Sequence, residues 1–422
     1  MTQKSRFILF ISCILLFALA SPLAIFYSQG YRFDFANKKF TQTGGIFLKV
    51  FPRQADVYLD GKLAKKTDFF FGSALIENLL PKSYQVRVEK EGYFTWEKNL
   101  EVKEKEVTEE KFITLIPEKN NFETLSQNVD DFWVSPDGKK IILRESETQG
   151  WSVKLYDLEK NLKSRLLDEK TVSLRSASLF DISFKEDSRE IFLDIGAREQ
   201  EKSFSLRLDK ASPVLTERKI PVPPIEAVVL EKIDDNNIYY LDNFGFVYKT
   251  DASFGGGTRQ NAIPFPVKPE TEYRLDIFDN FLFLRESGDS YLLRNGEFEK
   301  IIENVTNLKI SPDKKKLAIT ANSEIWIFFL QDVFEQPRRS AGEKLFLLRL
   351  SQRIPDIFWL NDGHLIFSAG SDIKIAEIDN RDRINVYQLA QFPDPRFFWN
   401  ESSEKIYVLS QKSLQASERL LR

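Results

Sequence analysis

One unit recurs along most of the chain and limits its folding more than any other feature. An apolar strand is followed by a polar turn and a second apolar strand. The clearest copy is Phe132-Trp133-Val134-Ser135-Pro136-Asp137-Gly138-Lys139-Lys140-Ile141-Ile142-Leu143. Further copies run from Ile182 to Leu193, Leu308 to Ile319, Ile357 to Phe367 and Phe397 to Leu409. Two weaker ones turn at Asp234-Asp235-Asn236-Asn237 and Asp279-Asn280. Taken at positions 137, 187, 235, 279, 313, 362 and 401, the turns lie 34 to 50 residues apart. A unit of this size cannot bury its apolar face alone, so copies must stack on one another.

A period of about 40–50 residues is that of a four-stranded propeller blade. Seven turns predict a mainly β chain with about seven blades over residues 118–422; six or eight would also fit. The Ser135-Pro136-Asp137-Gly138-Lys139 copy resembles TolB-like and WD-repeat-like propellers. A propeller must close its ring or leave a strand edge exposed. The last unit has room for strands near 395–400, 405–410 and 414–420 and lacks one outer strand. Phe122-Glu123-Thr124-Leu125, ahead of the first unit, is the expected donor.

At the other end, Phe7 to Tyr31 carries no charge. Its apolar part, residues 7–27, is about 31 Å long as a helix, against a hydrocarbon core of about 30 Å. The run reads as a membrane anchor within residues 1–28, followed by a linker over 29–43. A cleaved secretory signal is the alternative, since Ala18-Leu19-Ala20 has the small-x-small pattern. The apolar run continues through Leu23-Ala24-Ile25-Phe26-Tyr27, beyond the usual signal length. Lys4 and Arg6 precede the run and Arg32, Lys38 and Lys39 follow it, so charge leaves orientation open. A short tail before a long apolar run reads as a signal-anchor, with the bulk of the chain outside the cytoplasm. Cys13, the single cysteine, falls inside the span.

Residues 44–117 alternate as strands do. Ile46 to Phe51 is a first run, Val57-Tyr58-Leu59 meets an Asp60-Gly61 hairpin signal, and Tyr84 to Val88 has period two. The pattern predicts a small antiparallel β sandwich. Phe47-Leu48-Lys49-Val50-Phe51-Pro52, Ala55 to Lys62, Leu79 to Val86 and Lys90-Glu91-Gly92-Tyr93 together resemble the PEGA domain, a module of bacterial and archaeal envelope and surface-layer-like proteins. Two positions depart from its pattern: Pro52-Arg53-Gln54-Ala55 lacks the Glu-Gly of the naming tetrapeptide, and Ser83 stands for the usual glycine. Phe69-Phe70-Phe71 is expected in core or interdomain packing, with an exposed docking patch as the alternative.

Composition excludes much chemistry. With one His, His364, and one Cys, the chain cannot build a histidine zinc site, an intramolecular disulfide or an iron–sulfur site. Its 60 basic and 63 acidic residues, net −3, argue against a nucleic-acid partner. Ser311-x-x-Lys314 has the spacing of Ser–Lys acyl-transfer enzymes, but that chemistry needs one helical face, and both residues fall in a turn. Gly255-Gly256-Gly257-Thr258 lacks the Lys-Ser/Thr ending of a phosphate loop and reads as a blade loop. Asp130-Asp131, Asp234-Asp235 and Glu109-Glu110 are candidate carboxylate pairs, though Asp is common at turns. His364 is expected as a solvated turn residue, Glu101 to Lys111 as a solvated edge and loop, and Pro221-Val222-Pro223-Pro224 as an extended connection between blades. No catalytic, cofactor-binding or metal-binding residue and no cofactor is assigned. The expected role is a non-enzymatic, membrane-anchored envelope protein, held by residues 7–27, that binds protein, peptide or glycan partners. The alternative is a glycan- or peptide-processing hydrolase with its site in the propeller funnel.

Overall fold

The computed structural model describes residues 3–421 except 36, 149, 173–177, 186, 198–199, 210–213, 219–226, 235–236, 252 and 279. The stretch Pro221–Pro224 and the turn residues Asp235, Asn236 and Asp279 therefore lie outside the described residues. One helix, Gln3–Ser28, is followed by strands throughout. Leu9–Ser28 is long and apolar enough to cross a membrane, and its apolar window is not buried within the protein. The expected linker 29–43 is instead a hairpin, Tyr31–Asp34 paired with Lys39–Gln42.

Residues 44–114 form two sheets around an apolar core that includes Ile46, Leu48, Val86, Trp96 and Ile113. In the first, Gly44–Phe51 lies between Ser73–Leu79 and Val107–Thr114. In the second, the order is Lys62–Lys66, Asp56–Leu59, Ser83–Glu89, Trp96–Glu101. The sandwich is not wholly antiparallel, because Gly44–Phe51 pairs in parallel with Val107–Thr114. The chain between them builds the second sheet and acts as the crossover that parallel pairing requires.

Beyond these come seven four-stranded sheets. Blades 1 to 6 occupy residues 129–168, 178–218, 227–259, 273–302, 305–349 and 357–391, each as an antiparallel meander. Blade 7 contains Arg396–Asn400, Lys405–Ser410 and Ser413–Ser417, and its fourth strand is Phe122–Gln127. The register runs Phe122↔Ser417 to Gln127↔Ser413, with a bulge between Thr124 and Ser126. Outside the strands, Glu418 N donates to Asn121 O at 3.1 Å. This clasp joins the first part of the propeller to the last and removes an edge. Apolar clusters bridge adjacent blades, such as Ile142 and Val153 with Ile191 and Leu193, or Leu143 with Tyr407 and Leu414.

The repeated turn has a side-chain cause. Ser135 Oγ donates to Asp137 Oδ1 (2.6 Å) and accepts from Lys140 N (2.9 Å), while Asp137 Oδ1 accepts from Lys139 N (3.1 Å). Ser311, Asp313, Lys315 and Lys316 repeat the same bonds at 2.5, 2.9 and 3.0 Å. The fourth position is left-handed in both, Gly138 at φ 67° and Lys314 at φ 57°. Such turns also tie blades together: Asp313 N donates to Asp362 Oδ1 (2.9 Å) and Asn400 Nδ2 to Ser135 O (3.3 Å).

Candidate functional site

Because strands alternate in direction, the first and third turns of every blade share one face of the ring. The 44–114 module sits on that face over blade 6. Phe112 lies so close to Gly363 that a Cβ there would meet it at 2.6 Å, so glycine is required. Asn361 Nδ2 donates to Thr114 Oγ1 (3.1 Å), Phe94 stacks on Tyr387 (5.4 Å), and Tyr387 OH donates to Thr95 O (3.2 Å). The long loop of blade 5 adds Gln336, which accepts from Glu109 N (3.0 Å) and donates to Val107 O (3.1 Å).

Charge is buried at the centre of this junction. Trp96 Nε1 donates to Glu377 Oε2 (2.8 Å). The fully buried Lys98 ammonium holds Glu377 Oε1 at 2.8 Å and the carbonyl of Asp379. Arg381 bridges Asp379 (2.8 Å) and Glu110 (2.5 Å) and donates to Glu109 O (2.9 Å). Burial, and then hydrogen bonding to Asp379, push the Glu110 carboxyl well above its ordinary range. Burial works against the Asp379 charge, but hydrogen bonds from Glu110 and Arg381 outweigh it and hold Asp379 below the usual carboxylate range. The two carboxyls are thus pushed apart, Glu110 toward its neutral form and Asp379 toward its charged one, while burial also raises Glu377 against the pull of Lys98. This network is a weld that joins the strands of the 44–114 module to the third turn of blade 6.

The inner wall of the ring is built by first strands, which touch from blade 1 to 2, 3 to 4, 5 to 6 and 6 to 7. Polar and charged side chains of neighbouring blades meet along this wall. Arg396 of blade 7 pairs with Asp131 of blade 1 (2.9 Å). Trp133 Nε1 donates to Asp181 of blade 2 (3.2 Å), and Arg144 to Leu179 O (3.1 Å). Arg285 holds Asp276 through two bonds (2.6 and 3.0 Å), with Arg274 at 3.4 Å. Burial raises Glu231, with Arg274 and Asp276 beside it, and raises Asp356, which faces Arg396 and Lys309. Burial lowers Lys309, whose ammonium lies over the Phe358 ring at 5.1 Å.

Several sequence expectations are corrected here. His364 is not a solvated turn residue: it opens the strand His364–Ala369, is 1% exposed, and burial depresses its pKa to about 3. Its Nδ1 faces Asn361 Oδ1 at 3.1 Å. The Phe69-Phe70-Phe71 rings do not pack in a core. They are 62, 72 and 75% exposed, because Asp68 accepts from the backbone of Phe70, Phe71 and Ser73 and ties a tight outward loop. The run Glu101 to Lys111 is not solvated throughout, since Glu110 is buried in the weld. Ser311 Oγ is engaged within its turn, donating to Asp313 and accepting from Lys316 N. Gly255–Gly257 lies between two strands of blade 3. Asp130 pairs with Lys412 (3.0 Å) and Asp131 with Arg396, so those neighbours serve different partners. No group of three or more metal-ligating side chains occurs among the described residues. Trp96, Lys98, Glu377, Asp379 and Arg381 were not legible as a site, since their partners lie 271 to 281 residues away.

Residues 43–115 match the family model of the PEGA domain. No protein of curated function matches the chain in sequence. Among solved structures, YCF48 from Cyanidioschyzon merolae is 12% identical with a TM-score of 0.44, covering 70% of this chain and 98% of its own. Virginiamycin B lyase from Staphylococcus aureus is 12% identical, TM-score 0.44, covering 71% and 99%. The β-propeller domain of Swd1 from Myceliophteria thermophila gives the same identity, score and coverage as that lyase. The propeller assignment rests on the seven sheets themselves. Residues 43–115 are a PEGA domain, seated on blade 6 of a seven-bladed β-propeller that follows an N-terminal apolar helix.

Proposed function

We propose that this chain is a membrane-anchored cell-envelope protein, with PEGA domain and propeller outside the cytoplasm, that binds protein or glycan partners and performs no catalysis. The observation that carries this reading is the weld. It seats the PEGA domain on the turn face of blade 6 and leaves the charged first strands of the other blades outside the junction. Protease treatment of intact cells with an epitope at the C-terminus tests the topology, and loss of the epitope is the expected result. An epitope protected until the cells are lysed would place the ring inside and overturn the location.

The hydrolase reading has one observation in its favour, the elevated Glu231 beside Asp276. A glycosidase needs a protonated acid and a free carboxylate about 5–9 Å apart, and Asp276 is already held by Arg285 and Arg274. Glu231→Gln and Asp276→Asn chains assayed for turnover of envelope glycan fragments separate the two. Turnover by the natural chain that both substitutions abolish would replace the binding reading with the enzymatic one.

A further inference from the structure

The hairpin 31–42 leaves one face without a partner. Its register sets Phe33 opposite Phe40 and Tyr31 opposite Gln42, so with Phe35 these share a face, while Arg32, Asp34, Lys39 and Thr41 share the other. On the second face Asp34 and Thr41 are buried and Arg32 donates to Asn78 of the PEGA domain (2.7 Å), while Lys39, at the tip, stays exposed. The first face points out, with Phe33, Phe40 and Phe35 at 39, 58 and 84% exposure. Their rings form one cluster, Phe33 lying 5.0 Å from Phe35 and 5.2 Å from Phe40.

This face is continuous with the apolar helix. Phe26, in the last turn of the helix, stacks on Phe40 at 6.4 Å and meets Tyr31 edge-on at 5.2 Å. The hairpin rings therefore lie at the depth of the last turn of the span. At that depth a bilayer changes from acyl chain to headgroup, the level at which Tyr rings concentrate and at which interfacial elements bury Phe-bearing faces. Charge agrees: Lys38 and Lys39 are exposed at the tip, whereas Asp34, the acid of the hairpin, is buried and accepts from Asn37 N and Nδ2 (3.2 and 2.7 Å). The Phe69–Phe71 loop has comparable exposure but lies at the far end of Ser73–Leu79. Ser73 is five residues from Asn78, or about 17 Å along the strand.

We propose that the hairpin 31–42 is an interfacial lipid-binding element, its Phe33, Phe35 and Phe40 face seated at the headgroup–acyl boundary and Lys38 and Lys39 on the phosphates of anionic lipids. The inference rests on the membrane-anchor reading. Spin labels on single cysteines in full-length Cys13→Ser protein, reconstituted into phosphatidylcholine vesicles with and without phosphatidylglycerol, test it. Labels at Leu16→Cys, Phe35→Cys and Phe70→Cys are compared for collision with oxygen and with a water-soluble nickel chelate. The Phe35 label is expected to collide with nickel several-fold less than the Phe70 label. Phosphatidylglycerol should increase this protection, and Lys38→Glu with Lys39→Glu should remove the increase. A Phe35 label as nickel-accessible as Phe70, with Leu16 protected, overturns the proposal and leaves the anchor intact. If Leu16 is also nickel-accessible, the anchor reading fails and the proposal with it. Protection of Phe35 that ignores both phosphatidylglycerol and the lysine substitutions overturns the lipid-phosphate part.

Discussion

Two seams hold the molecule together, and they are made of opposite materials. The clasp of blade 7 is a backbone ladder between Phe122–Gln127 and Ser413–Ser417 with apolar flanks. The weld between the PEGA domain and blade 6 is a buried network of Trp96, Lys98, Glu110, Glu377, Asp379 and Arg381. A ladder is sequence-tolerant, and each net hydrogen bond contributes about 1 kcal/mol. A buried ionic network gains little over an apolar contact when complete, yet it costs much when one member is removed. The clasp should therefore resist substitution and fail on deletion, and the weld should fail at single residues.

The largest expected effect breaks the clasp. Deleting Phe122–Gln127 from the full chain removes five paired positions, about 5 kcal/mol at about 1 kcal/mol each. Calorimetry should show the whole propeller transition moving down, because an open ring exposes edges at both ends. An unchanged transition would mean that the strand is only a connection.

Breaking the weld comes next. Lys98→Met leaves Glu377 and Asp379 without their shared cation and should cost about 3–5 kcal/mol. The loss should be confined to the junction, read as faster proteolysis around residues 117–121 with the propeller melt retained. Adding Glu377→Leu should recover part of the loss. If the double variant is as weak as the single one, charge balance is not what holds the seam.

A smaller effect sharpens the electrostatics. Glu110 has a raised pKa in the folded protein, so the folded state holds a proton that the unfolded chain releases above about pH 4.3. Its stabilisation is complete below that value and is lost as pH rises through the folded pKa. Glu110→Gln keeps the neutral form at every pH. Its melting temperature relative to the natural chain should therefore climb as pH increases above the ordinary carboxyl range. A constant difference would show that Glu110 is charged in the weld. The smallest effect belongs to Phe69→Ser, Phe70→Ser and Phe71→Ser together, expected within about 0.5 kcal/mol in chemical denaturation because the rings touch solvent.

The same contrast explains what could be read in advance. The blades and the clasp strand were legible because strand–turn–strand units carry their instructions locally: Ser135 and Asp137 make their turn with bonds to neighbours within five residues. The weld was illegible because Glu110 and Arg381 look like ordinary surface charge until the fold brings them together across 271 residues. His364 failed for a related reason. Gly363 precedes it as a turn residue would, but the PEGA domain lands on that turn and seals it. The Phe69–Phe71 run failed through local chemistry, since Asp68 accepts backbone donors at Phe70, Phe71 and Ser73 and turns the three rings outward.

The ionic character of the weld also bears on how the protein is made. Trp96 emerges from the ribosome 281 residues before its partner Glu377. At about 5–20 residues per second that is roughly a quarter of a minute to a minute. Through that interval the finished PEGA domain waits with its docking face bare. A wholly apolar face of that size would invite wrong partners, whereas Lys98 and Glu110 set polar groups among its Phe94 and Phe112 rings and keep part of it hydrated. It becomes adhesive only when blade 6 supplies counter-charges in matching positions, so the seam is quiet during synthesis and selective at its end.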